Sequence, residues 1–155
     1  MRILVQRVRQ ASVDVRGQST GQGQKGVLIL VGFREGDKST TIRPMVEKLV
    51  NLRIFEDQDG KMNRSLLEVG GDLVVVSQFT LYADCRKGRR PSFIHALAPE
   101  PAREMFEETV AVCQNLVSKV FQGEFGAEMQ VSLVNDGPVT IMLDSDELGF
   151  TRVES

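Results

Sequence analysis

The chain has 155 residues, a formal net charge of −2, and a composition that is 41% hydrophobic and 26% charged. A chain of this length forms one domain and buries about two-thirds of its unfolded surface. That excludes disorder as the main state and removes the need for a disulfide or structural metal. The slightly acidic balance excludes a generally cationic nucleic-acid binder, so contact with nucleic acid requires a local basic patch.

No apolar run approaches the roughly 20 residues of a membrane span. Met1 to Val5 passes straight into charged sequence, without the pattern of a secretory signal. Cys85 and Cys113 make neither a disulfide framework nor a CxxC pair, and the single histidine, His95, leaves few ligands for zinc. The expectation is a cytoplasmic protein with no cofactor, no metal and no membrane contact.

In chain order, Met1 to Val15 alternates with Ile3 and Val5 on one face and Val13 and Val15 on another, which predicts two short strands or one long bent strand. Gly17 to Gly26, rich in Gly, Gln and Ser, reads as a turn region. Gly26 to Phe33 is a continuous β-branched apolar run, the pattern of a strand buried on both faces. Ile42, Met45, Val46, Leu49 and Val50 carry helical spacing, with Pro44 tolerable in the first turn. Arg53 to Glu56 predicts a short strand before a turn at Asp57 to Gly60, and Asp72 to Ala83 gives the strongest strand signal.

A polar loop follows at Asp84 to Pro91. Pro101 to Val120 predicts the longest helix, with Cys113 on its apolar stripe and Gly123 just past its end. Met129 to Leu133 and Val139 to Leu143 alternate as strands around a turn at Asp136-Gly137-Pro138. Residues 1–143 form the expected domain, and residues 144–155 an acidic, loose tail. The fold class is α/β: a single domain with a curled mixed or mostly antiparallel sheet and two long helices packed on it.

Several motifs fail on context. Gly21, Gly23 and Gly26 spell GxGxxG but open a buried strand instead of a helix, so no dinucleotide site follows. Asp57, Asp59 and Gly60 lack the spacing of a calcium loop. Cys85 lies beside Arg86 and Lys87, which favours a thiolate, yet no second motif supports a reactive role. His95 has no local signature of a catalytic base.

Three segments carry information. Ser77-Gln78-Phe79-Thr80 interrupts a hydrophobic strand with polar side chains. Buried polar groups cost about 1–3 kcal/mol each unless paired, so this is either an exposed edge or a cluster that holds a carbonyl or a water. Asn135-Asp136-Gly137-Pro138-Val139-Thr140 reads by itself as a turn. Its alternative is a rigid backbone wall, because an X–Pro bond has access to the cis form and glycine lets main chain approach a ligand. Arg86-Lys87-Gly88-Arg89-Arg90 places four cations within five residues, either a solvated loop or a phosphate-binding patch. Arg2, Arg7, Arg9 and Arg16 are candidates to join that patch.

Together these segments resemble the D-aminoacyl-tRNA deacylase family over nearly the whole chain. MRILVQRVRQASVDV, GVLILVGF, LRIFED and GKMNRSL match in order, with SQFTL at Ser77 to Leu81 and NDGPVT at Asn135 to Thr140. KGRRPSF at Lys87 to Phe93 also fits, although Arg89 stands where another polar residue, often Asn, is expected. The resemblance implies a homodimer that hydrolyses the ester joining a D-amino acid, or glycine, to the 3′ end of tRNA.

It further implies that Ser77, Gln78, Phe79 and Thr80 surround the scissile ester. The amides near Phe79 and Thr80 would bind the oxyanion, and Ser77 and Gln78 the terminal adenosine. Gly137 and Pro138, in cis, would reach the partner's site and reject L-residues, with Asn135 and Met129 assisting. Arg86, Lys87, Arg89 and Arg90 would contact tRNA. Thr80 is either the nucleophile or a positioning group; lacking an evident base, water aided by the substrate's ribose hydroxyl is the more economical reading. The competing readings are an RNA-binding dimer without chemistry and an esterase using Ser77 or Thr80 with His95.

Overall fold

A computed structural model describes residues 1–151. Its frame is one long strand, β1 (Arg2–Val15). One edge of β1 pairs along its whole length with the last strand, β8 (Met129–Asp144). The other edge is shared: residues 2–8 pair with β3 (Gly26–Gly32) and residues 11–15 with β2 (Gln18–Gly23). β3 continues in parallel to β6 (Asp72–Ser77), and β6 in parallel to β7 (Val120–Gln122). The sheet curls until β2 packs against β7, so it is mixed and nearly closed.

The curl gives the sheet two apolar faces. Ile3, Val5, Val27, Ile29, Val31, Leu73 and Val75 pack beneath α1 (Ile42–Asn51) and α3 (Pro99–Leu116). Val8, Ala11, Val13, Val15, Leu28, Val74 and Val76 fill the concave side. β3 and β6 are therefore buried on both faces, which is why they read as continuous β-branched runs. In β1 the alternation changes phase between Val8 and Ala11, where the pairing to β8 slips between Val8 and Gln10. Such a slip moves subsequent side chains to the opposite face, and it carries one strand from one core to the other.

Several expectations need correction. The segment read as a turn region holds β2; only Arg16 and Gly17 turn, both at positive φ. β2 forms through main-chain pairing, so polar composition does not betray it. Its Gly21 lies flush against the Phe121 side chain, where a Cβ would overlap the ring. The strand predicted to run to Ala83 stops at Ser77, and Phe79–Tyr82 coils into a 3-10 turn. The long helix spans Pro99–Leu116; Val120 belongs to β7, although Val117 stays buried.

The region after α1 contains β4 (Phe55–Glu56), β5 (Met62–Arg64) and a short helix, α2 (Leu66–Val69). α2 opens on a capping box in which Ser65 accepts from the Glu68 amide and Glu68 accepts from the Ser65 amide.

Residues 144–151 are not loose. The Ser145 amide donates to the Met1 carbonyl at 2.9 Å, Arg34 pairs with Asp146 at 2.7 Å, and Leu148 and Phe150 pack on the main core. Residues 152–155 of the expected tail lie outside the described residues. Arg2 ties this segment to the 3-10 turn: its Nε donates to Asp144 at 2.8 Å and its Nη1 to the Leu81 carbonyl at 2.7 Å. Burial pushes the Asp144 carboxyl up, but Arg2 and the Asp146 amide outweigh it and hold the group below its ordinary value.

A depressed carboxylate stabilises the fold above its unfolded pKa, near 4, and that stability is lost as pH falls through the folded value. Asp144→Asn should lower stability at pH 7 by about 1 kcal/mol, a low figure because Arg2 is partly solvated. It should also flatten the loss between pH 4 and pH 2, as read by thermal unfolding across that range.

Candidate functional site

β3 and β6 run parallel and end side by side, Val31 paired with Ser77. The carboxyl ends of parallel strands commonly open a ligand crevice, because the amides there leave the ladder. A cavity of about 580 Å³ lies at this end, with Gly32, Ser77, Gln78, Phe79, Phe93 and Met129 in its wall. The Gln78 amide still donates to the Val31 carbonyl at 2.7 Å, after which the chain coils. Among the described residues the amides of Phe79 and Thr80 have no main-chain acceptor, as the first residues of a helical turn require.

Gln78 Nε2 donates to Thr80 Oγ1 at 2.6 Å, so the hydroxyl is held by an amide and not by a base. Phe79 is 55% exposed and meets the Phe93 ring edge-on at 5.1 Å. Gly32 permits this arrangement: a Cβ there would stand 2.8 Å from the Gln78 carbonyl oxygen and 3.1 Å from Leu81 Cβ. The cavity therefore gathers Ser77, Gln78, Phe79 and Met129, with Thr80 on the adjoining turn.

Asn135, Gly137 and Pro138 lie elsewhere. Gln6 and Val8 are two positions apart on β1, whereas their partners Thr140 and Asn135 are five apart on β8. The chain does not reverse at this point, contrary to the turn expected between two strands. Residues 136–139 instead protrude from a single strand as a bulged loop, and Gly137–Pro138 is cis. Asn135 closes the loop at its base, accepting from the Val139 amide at 2.8 Å and donating to the Val139 carbonyl and Thr140 hydroxyl at 3.1 Å.

Arg7 holds the loop from behind, its Nε donating to the Asp136 carbonyl at 2.7 Å and its Nη1 to the Ile54 carbonyl at 2.6 Å. Ser77 lies level with Ile3 and the loop level with Arg7. The two are separated by roughly 13 Å along the strands and three strand spacings, about 14 Å, across them.

The basic loop is exposed at Lys87, Arg89 and Arg90. Arg86 grips Asp84 with two bonds, 2.7 Å and 2.9 Å, which hold the Asp84 carboxyl far below the usual range. Of the N-terminal arginines only Arg2 comes to the basic loop, sharing a cleft wall with Arg86. Arg7 is buried at the bulge, Arg16 pairs with Glu124, and Arg2 is clamped by Asp144.

His95 Nε2 stands 3.8 Å from Asp84 in a second cleft and is absent from the Ser77 cavity wall. Cys113 is buried, and burial pushes its thiol up to about 12; Cys85 is exposed. Sequence reasoning missed the roles of Arg7 and Gly32. The available signals were an arginine inside an apolar alternation and a glycine closing a buried strand.

Residues 4–144 match the family model described as D-Tyr-tRNA(Tyr) deacylase. The chain is 53% identical over 148 residues to the D-aminoacyl-tRNA deacylase of Thermosipho africanus, covering 96% of this chain and 99% of that one. It is 57% identical over 148 residues to the D-aminoacyl-tRNA deacylase of Thermomicrobium roseum, covering 96% of each. Among solved structures it superposes with a TM-score of 0.88 on the c-Myc DNA Unwinding Element Binding Protein, 37% identical, covering 94% of this chain and 99% of that one. A probable eukaryotic D-amino acid tRNA deacylase, 18% identical, gives a TM-score of 0.81 over 92% of this chain and 97% of that chain, a likeness of fold.

Arg7→Ala leaves two carbonyls without their donor. It should cost about 3 kcal/mol, and Arg7→Lys, with a single ammonium in place of a fork, should recover only part of it. Denaturant midpoints of the two variants measure this.

Proposed function

The chain belongs to the D-Tyr-tRNA(Tyr) deacylase family and is a hydrolase of the aminoacyl-tRNA ester; from that premise we propose that it cleaves D-aminoacyl-tRNA and glycyl-tRNA as a homodimer and rejects L-aminoacyl-tRNA with backbone alone. The observation that carries the reading is the pair of unused amides at Phe79 and Thr80, in the turn that follows β6 and adjoins the cavity.

An aminoacyl ester is already activated, so catalysis needs a held carbonyl, a placed nucleophile and donors for the oxyanion. The Phe79 and Thr80 amides receive the oxyanion. Ser77 and Gln78 position the terminal adenosine, with Phe79 and Met129 as its apolar walls. Thr80 is a positioning group: its hydroxyl accepts from Gln78, and His95 belongs to another cleft. The nucleophile is water: as its oxygen bonds to the ester carbon, the neighbouring ribose hydroxyl of the substrate takes its proton and passes its own to the 3′ oxygen, which departs as the ester C–O bond breaks. The esterase reading with His95 loses its geometric basis.

D- and L-substrates carry the same groups, so selection must act by exclusion at Cα. Main chain suits this task because it cannot rotate aside. The loop at Gly137 and Pro138 is exposed and braced by Asn135 and Arg7, too far along the sheet to serve its own Ser77. A second copy brings it to the ester, its carbonyls holding the substrate amine while an L side chain meets backbone. Glycine has no side chain to exclude and is cleaved. Val131, Val134 and Met142 on β8 are exposed apolar side chains, a surface for the second copy.

Arg86, Lys87, Arg89 and Arg90 contact the tRNA backbone. A cytoplasmic location follows from the substrate; among the described residues no helix is long and apolar enough to cross a membrane.

Matched D- and L-tyrosyl-tRNA test the proposal. The protein should release D-tyrosine at least about 100-fold faster than L-tyrosine, the scale of a clash that costs near 3 kcal/mol. Glycyl-tRNA should be cleaved as well. Thr80→Ala should keep measurable turnover, and an acyl-enzyme trapped on Thr80 would refute the water mechanism. Gly32→Ala should fold yet lose turnover at least about tenfold, because its Cβ displaces the turn that carries both amides.

A further inference from the structure

A second cleft, of about 670 Å³, adjoins the first. The two share a partition: Phe33 and Phe93 face the first cavity, while their neighbours Arg34 and Ile94 face the second. Arg2, Arg34, Tyr82, Arg86, Ile94 and His95 are in its wall. Three guanidinium groups stand here, each fixed by a carboxylate: Arg2 by Asp144, Arg34 by Asp146 and Arg86 by Asp84.

One donor in this wall, the hydroxyl of Tyr82, a residue only 6% exposed, is buried without a hydrogen-bond partner among the described residues, whereas Arg34 Nε faces the buried Asp37 carboxylate at 3.9 Å. The partition carries Ile94, 78% exposed. Beyond the rim lie Lys87, Arg89 and Arg90, exposed and free of ion pairs among the described residues.

We propose that this second cleft seats the single-stranded RNA immediately upstream of the terminal adenosine, its phosphodiester crossing the partition at Ile94. The inference rests on the reading above, in which the adenosine occupies the first cavity. A tethered strand must leave that cavity over one rim, and this rim leads to guanidinium groups and, beyond them, to unpaired cations. The carboxylate-clamped arginines are preorganised donors, since their side-chain freedom is already lost. The net attraction comes from the unpaired cations beyond them, as counterion release requires. The contact holds the strand in register and carries no base-edge readout.

The test compares two esters, 3′-D-tyrosyl-adenosine and 3′-D-tyrosyl-CCA trinucleotide, with the full-length protein. Its readout is the ratio of kcat/KM for the trinucleotide to that for the nucleoside. In the wild type the ratio should exceed one and fall with added salt. Ile94→Asp should lower it about fivefold, the effect of one like charge several ångströms from a phosphodiester at a surface. Ile94→Lys should hold the ratio at or above the wild-type value. Position 94 is exposed, and the nucleoside ester reports any damage to the first cavity, so opposite shifts for the two charges cannot arise from misfolding.

A ratio of one in the wild type, or equal shifts for Asp and Lys, overturns the second cleft while leaving the deacylase reading standing. Failure of the wild type to cleave either ester overturns both.

Discussion

The buried guanidinium of Arg7 is the interaction on which the proposed selectivity depends. Among the described residues it has no carboxylate within salt-bridge reach, and two main-chain carbonyls, of Ile54 and Asp136, accept its hydrogen bonds. Buried charge survives in a protein only when it is hydrogen-bonded. The guanidinium and the bulge therefore stabilise one another: the bulge presents the Asp136 carbonyl, and the arginine fixes the residue before Gly137. Asn135 completes the brace from the other side. Residues 136–139 stand out from the sheet as a held shape, the kind of object that can exclude by position.

The second constraint is the termination of two parallel strands at one level. β3 and β6 run buried until Gly32 and Ser77, and the absence of a side chain at Gly32 lets the next turn fold back across the strand end. That turn exposes the Phe79 and Thr80 amides and sets the Gln78 amide on the Thr80 hydroxyl. A hydroxyl that already accepts from a neutral amide, with no imidazole beside it, is poorly placed to become a nucleophile. In the proposed mechanism the chemistry therefore falls to water and substrate, and the protein supplies geometry and dipoles.

Much of this was legible in the sequence, and the limits have physical causes. β3 announced itself because a strand buried on both faces must be apolar at every position. SQFT and NDGPVT stood out because polar or conformationally special residues interrupt apolar alternation. β2 was not legible, since its pairing is main chain to main chain and its side chains face solvent. The strand after Val76 was overextended because Phe79, Leu81 and Tyr82 keep an apolar tone inside a 3-10 turn. The bulge looked like a reversal because glycine and proline mark both; only the register with Gln6 and Val8 distinguishes them. Arg7 was read as a candidate for the phosphate-binding patch because nothing local says that two distant carbonyls will meet it. The docking of residues 144–151 was hidden for the same reason: its partners, Met1, Arg2 and Arg34, lie at the other end of the chain.

The most direct measurement of the central claim, that the ester-binding turn and the selecting loop come from different copies, is subunit complementation. Gly32→Ala disables the turn of one copy, and Gly137→Ala distorts the loop of another, where a Cβ would stand 2.7 Å from the Val139 amide nitrogen at a φ of +151°. Each variant alone should hydrolyse D-aminoacyl-tRNA at no more than about a tenth of the wild-type rate. Mixed and re-equilibrated in equal amounts, half of the dimers are hybrid and one of their two sites is intact. Activity should thus return to about a quarter of the wild-type value. A mixture as inactive as its components would contradict the account.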